Sequence, residues 1–179
     1  MGAVDKGLQR FRGKPLIAHV LERLAPQVDS VVVNANRNVD VYSGFGRLVV
    51  SDLLPDYAGP LAGLQAGLSV CETEVMVAVP CDAPFLPGDL VMRLAAALVD
   101  ATVDVAIART SERTHPVFCI VRRSAQAALS RYLEGGGRSV HGWIGLMGSR
   151  AVLFGDEQAF ANLNTVADLH ERLPATDDP

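Results

Sequence analysis

The chain has 179 residues, enough for one well-buried core and short for two domains. It carries 16 Lys and Arg against 20 Asp and Glu, a net charge of −4 with no basic block, which argues against a nucleic-acid surface. No apolar run approaches the ~20 residues that cross a bilayer, and Met1-Gly2-Ala3-Val4-Asp5-Lys6 is not a signal peptide. Cys71, Cys81 and Cys119 stand far apart without a CxxC pair, so neither a disulfide framework nor a zinc site is suggested, and a reduced, cytoplasmic setting is expected.

In chain order, Pro15 to Leu24 reads as a helix, with Pro15 in its first turn and Ile17, Val20, Leu21 and Leu24 as its apolar stripe. Val31-Val32-Val33 is a strand that stops at Asn34-Ala35-Asn36, and Arg47 to Val50 is a second, ending in Ser51-Asp52. A loop rich in Pro and Gly, 55–60, feeds a helix over about 61–68. The strand Val75 to Val79 follows, and then a helix from Pro87 to Leu98. Val103 to Ala108 and Val117 to Val121 are strands separated by a polar turn containing His115-Pro116. Ser124 to Leu133 is a helix closed by Gly135-Gly136-Gly137. Ala151 to Phe154 is a last strand, Thr165 to Leu173 a capped terminal helix, and 174–179 a frayed tail. Strands alternating with helices predict a single α/β domain over 1–173, a three-layer α/β/α fold around a mostly parallel sheet.

Strand ends carry the chemistry. The apolar run Val75-Met76-Val77-Ala78-Val79 breaks at Pro80-Cys81-Asp82, followed by Ala83-Pro84. Two prolines stiffen the loop and present Asp82 at the carboxyl end of a buried strand, where open α/β sheets bind ligands. A carboxylate there suits Mg²⁺ held against nucleotide phosphates; a strand-ending Asp in an ordinary turn is the alternative. Asn34, Asn36 and Asp52 end two further strands, which should bring them to the same rim, and such groups can read a base or hold ribose hydroxyls. Gly59-Pro60-Leu61-Ala62-Gly63 could let a ligand approach the start of a helix. Fourteen of the cationic residues are Arg and only Lys6 and Lys14 are Lys. A rare, Gly-flanked Lys6 suits a triphosphate, although chance placement also accounts for it. His115 could act as a base, but a lone His in a turn is more often structural. Asn162 and Asn164 precede the last helix, one as a cap and the other open to a substrate.

Taken together, several segments resemble the molybdenum cofactor guanylyltransferase family of MobA type. They are Met1-Gly2-x-x-Asp5-Lys6-Gly7, Gly13-Lys14-Pro15-Leu16, Asn34-Ala35-Asn36-Arg37, Gly59-Pro60-Leu61-Ala62-Gly63, Pro80-Cys81-Asp82, His115-Pro116 and Asn162-x-Asn164-Thr165. The resemblance implies a Rossmann-like nucleotidyltransferase fold and transfer of GMP from GTP to the phosphate of molybdopterin, releasing pyrophosphate, with Mg²⁺ as cofactor. It implies that Lys6 contacts the GTP phosphates, that Asn34 and Asp52 bind the guanosine, and that Asp82 holds the metal. Gly63, Asn162 and Asn164 would face the pterin. A monomer in transient contact with molybdoenzymes or other proteins of cofactor synthesis is implied as well. The family also carries a strand and a Leu-Ala-Gly-Gly loop ahead of Met-Gly-x-x-Asp-Lys-Gly, so the resemblance implies that both are missing here. A related cytidylyltransferase, or a truncated, inactive pterin- or nucleotide-binding protein, would share much of this pattern.

Overall fold

The computed structural model describes residues 5–54 and 59–163. A 3₁₀ turn, Lys6–Leu8, leads into a small hairpin of β1 (Arg10–Phe11) and β2 (Lys14–Pro15), with Arg12 and Gly13 both at positive φ in its tip. Helix α1 (Leu16–Leu24) begins one residue later than the sequence suggests, because Pro15 stays extended as its N-cap. Its buried stripe is Leu16, Ile17, Val20 and Leu24, and on its outer face Glu22 pairs with Lys14 at 2.6 Å.

Next come β3 (Val32–Asn34), a short helix α2 (Val39–Ser43) that composition did not reveal, and β4 (Leu48–Val50), which pairs with β3 in parallel. Helix α3 (Pro60–Ser69) is buried on nearly every side. Two glycines four residues apart explain how it fits. A methyl at Gly63 would lie 2.6 Å from Asn34 Oδ1 on β3, and one at Gly67 would lie 2.9 Å from Met76 Sδ on β5 (Val75–Ala78). Residues at i and i+4 share a helix face, so one small-residue face lies across both strands.

The larger sheet has the order β5-β7-β6-β8, with β6 (Val105–Arg109), β7 (Thr114–Arg122) and β8 (Ser149–Leu153). β7 runs against both neighbours while β6 and β8 are parallel, so β5, β6 and β8 point the same way in a mixed sheet. The reversal arises at 110–113, where the Thr110 N–H bonds the Arg113 carbonyl at 2.8 Å and turns the chain straight back. Here the structure corrects the expected turn at His115-Pro116, which lies inside β7. The β6–β7 register slips between Ile107, opposite Cys119, and Ala108, opposite His115. Pro116, which cannot donate to a ladder, falls in that irregularity.

Alternation along β6 and β7 produces the layers. Ala106, Ala108, Phe118 and Ile120 face α4 (Leu90–Ala97) through Leu90 and Leu94. Val105, Ile107, Cys119 and Val121 face the opposite cluster, built from α3, α5 (Gln126–Glu134) and α6 (Val140–Ile144). α6 was not expected from sequence; Ser139 caps it by accepting from the Gly142 N–H at 3.1 Å, and Trp143 is its buried anchor. Among the described residues β3 pairs with β4 alone and β5 with β7 alone. No helix of the described residues is long and apolar enough to cross a membrane. The expected terminal helix lies outside the described residues.

The approach to β6 leaves no room at Gly148, where a methyl group would overlap the Thr102 carbonyl. The Gly148 carbonyl meanwhile accepts from both Asp104 and Val105, so the backbone is pinned from two sides. Gly148→Ala is expected to cost about 1–3 kcal/mol, read as a lower denaturant midpoint in urea unfolding.

Candidate active site

The polar ends of β3 and β4 meet. The Asn34 amide donates to Asp52 Oδ1 at 3.0 Å and the Asn36 amide to Oδ2 at 2.7 Å, while the Asp52 N–H donates to Asn36 Oδ1 at 2.8 Å. Parallel pairing of Asn34 with Val50 produces this meeting, because it sets the two strand ends level. A carboxylate offers about four lone-pair sites, so one amide on each oxygen leaves Asp52 able to accept further donors from solvent or a ligand.

The second group gathers at the end of β5. Asp82 is 7% exposed, in the turn after Pro80, and Lys6 Nζ stands 4.0 Å from its Oδ2. Burial pushes the Asp82 carboxyl above its ordinary value, and the charge of Lys6 and a backbone hydrogen bond oppose that shift. The carboxylate is therefore held partly desolvated beside the Lys6 ammonium, a position that favours an added positive charge. The neighbouring Cys81 thiol is pushed up to about 11, first by burial and then by Asp82, which keeps it protonated and unsuited to nucleophilic work. The Asp82 carbonyl accepts from Leu163 N–H at 3.0 Å, which draws the segment carrying the exposed Asn162 to the same loop. Among the described residues no group of three or more His, Cys, Asp or Glu side chains could hold a metal ion. Asp82 offers a carboxylate of the kind that holds a hard ion whose other ligands come from phosphates and water.

A 3₁₀ turn carries Lys6 between these two groups. Gly7 is buried where a methyl would lie 2.6 Å from the Tyr42 hydroxyl and 2.9 Å from Cys81 Sγ. Asp5 reaches toward α2, accepting from the Tyr42 O–H at 2.6 Å and from the Asn38 amide at 2.9 Å. Lys6, Asn34, Asp52 and Asp82 therefore lie on linked elements at one rim. Gly63 belongs to the body of α3 and packs on Asn34. Asn164 lies outside the described residues.

Comparison with known proteins matches these features to one family. Residues 1–146 match the MobA-like NTP transferase domain. Proteins named molybdenum cofactor guanylyltransferase are 45% identical over 180 residues in Ralstonia pickettii (96% of this chain, 88% of that protein) and 49% identical over 175 residues in Cupriavidus metallidurans (95% and 86%). The chain belongs to the molybdenum cofactor guanylyltransferase family. Solved structures extend the likeness in fold. Molybdopterin-guanine dinucleotide biosynthesis protein A from Archaeoglobus fulgidus superposes with a TM-score of 0.73 at 22% identity, covering 94% of this chain and 89% of that one. CMP:2-keto-3-deoxy-manno-octonic acid synthetase, complexed with CTP, also gives 0.73, at 18% identity over 93% and 89%. The guanylyltransferase-family chain thus has the nucleotidyltransferase fold.

His115 has a structural setting in this guanylyltransferase-family fold. It is buried, stacked on Phe160 at 4.7 Å between centroids, and its Nε2 lies 3.0 Å from Thr110 Oγ1. The Thr110 hydroxyl donates to the Arg113 carbonyl at 3.2 Å, so it accepts from the ring and assigns the proton of neutral His115 to Nε2. Arg113 and His115 both face Glu157, at 3.4 and 3.6 Å. Burial lowers the His115 pKa first, Arg113 lowers it further, and Glu157 opposes them. The folded state thus binds fewer protons here than the unfolded chain, and stability is lost as pH falls below the ordinary His value of 6.5. Melting temperatures between pH 7.5 and 5.5 should fall on the acid side, and His115→Gln should flatten that limb. A slope unchanged in the variant would remove His115 as its cause.

Sequence reading missed Tyr42, Asn38 and Glu157. Each sits in a segment without period or motif, and the contacts that matter come from residues 33 to 44 positions away.

Proposed function

We propose that the protein transfers GMP from GTP to the terminal phosphate of molybdopterin, releasing pyrophosphate, in synthesis of the molybdenum cofactor. The observation that carries this reading is the pairing of Lys6 with a buried Asp82 on the rim that also bears the Asn34–Asp52–Asn36 cluster. The cluster would hold the guanosine, with Asp52 accepting the N1–H and N2–H₂ donors of guanine. Lys6 would lie along the triphosphate and offset the charge that builds on the departing pyrophosphate. Mg²⁺, held by Asp82 with ligands completed by phosphates and water, would supply charge neutralisation when bound. Asn162 and Asn164 would meet the pterin, with Gly63 at the boundary between pterin and nucleoside.

No covalent nucleophile is required. The acceptor phosphate attacks the α-phosphorus in line, and the chain contributes alignment and positive charge. The test is pyrophosphate release and dinucleotide formation by the purified protein with molybdopterin, using GTP, CTP and ATP side by side, with and without Mg²⁺. Selective use of GTP supports the reading; equal or better use of CTP would replace it with a cytidylyltransferase. Binding of nucleotide or pterin without turnover would make the protein a binding module.

A further inference from the structure

We propose that Tyr42 is a positioning residue for Lys6, acting through Asp5 as a clasp between the nucleoside-reading half of the sheet and the Asp82 loop. This rests on the guanylyl-transfer reading above. Asp5 directly precedes Lys6, and each of its oxygens is taken by a donor from the α2 segment. The Tyr42 contact, at 2.6 Å, has the short length of a hydroxyl donating to a carboxylate. The Tyr42 ring is 4% exposed and packs with Ile17, Val33 and Ala35, so its hydroxyl cannot wander. Burial and the Asp5 carboxylate both raise its pKa, which keeps it a donor. Asn38 reaches Asp5 from a left-handed conformation, φ 52°, that Asn tolerates better than most residues.

The arrangement has a directional consequence. α2 follows β3 directly, so Tyr42 and Asn38 tie the backbone before Lys6 to the β3–β4 pair. Gly7, one residue after Lys6, is wedged between Tyr42 and Cys81, the neighbour of Asp82. Among the described residues β3 and β5 share no ladder, so the separation of Lys6 from Asp82 rests on packing contacts: this clasp, α3, and α1, whose Arg23 Nε–H donates to the Leu86 carbonyl at 2.7 Å. The hydroxyl is offered as the element that holds the cation in register with the reacting phosphates.

Tyr42→Phe isolates the claim, because the ring and its packing remain. The expected result is a fall in kcat of about ten- to a hundredfold, the scale of an ångström-size misplacement, with the melting temperature little changed. In a Lys6→Ala background, followed under single-turnover conditions, the same substitution should change the rate less than about twofold, since residues acting as one unit are not additive. Amide hydrogen exchange should rise over residues 6–9 and stay unchanged in α3 and β7. Equal losses in both backgrounds, or a lower melting temperature with kcat intact, would overturn the clasp, as would unaltered exchange over 6–9. Should the unmodified protein fail to transfer GMP, the functional reading falls, and the exchange measurement alone decides the clasp.

Discussion

Asp82→Asn should lower guanylyl transfer by about 10³-fold or more, or about 4 kcal/mol of transition-state stabilisation, in line with the loss of a charge-neutralising group at a phosphoryl centre. The fold should not suffer. Burial raises the carboxyl above its ordinary value, with Lys6 opposing, so the folded state takes up a proton more readily than the unfolded chain. Stability from this group is present at low pH and is lost as pH rises through the raised value. At neutral pH the neutral amide removes that penalty, and the melting temperature of Asp82→Asn without nucleotide should equal or exceed that of the parent. Steady-state rates across a Mg²⁺ titration, with thermal melts of the same preparations, test both halves. Activity within tenfold of the parent would end the assignment of Asp82.

The second large effect concerns the base. Asp52→Asn keeps shape but places an amide donor where Asp52 now accepts from Asn34 and Asn36. Two donors facing guanine donors leave buried hydrogen-bonding groups unpaired on binding, and sites built on such pairs discriminate by orders of magnitude. kcat/KM for GTP should fall by about a hundredfold, a loss of about 2.7 kcal/mol, while kcat/KM for CTP changes far less. A uniform loss with all nucleotides would mean that Asp52 supports the loop rather than reading the base.

Much of the site was legible in sequence because strand ends are. Asn34, Asp52 and Asp82 each follow an apolar run; parallel pairing of β3 with β4 levels the first two, while Asp82 follows β5 of the larger sheet. Lys6 stood out by its rarity, and the structure sets its ammonium 4.0 Å from Asp82. What escaped depends on contacts between distant segments. The two-residue hairpin strands around Arg12-Gly13 and the five-residue helices α2 and α6 are too short to show a period. Pro116 read as a turn because proline is confined to irregular strand positions, and only the register slip opposite Ile107 shows that such a position exists within β7. Gly63 read as a loop opening toward a ligand; its first role in the fold is to let α3 lie against Asn34.

The scarcity of lysine gives this rim a spectroscopic handle. Of the two lysine side chains, Lys14 faces Glu22 on the outer surface and Lys6 faces Asp82. Reductive ¹³C-methylation would therefore place two lysine reporters on the protein, one beside Asp82 and one paired with Glu22. Shifts of the Lys6 resonance on adding metal, nucleotide or acceptor would follow the order in which charge arrives, without a substitution and without turnover.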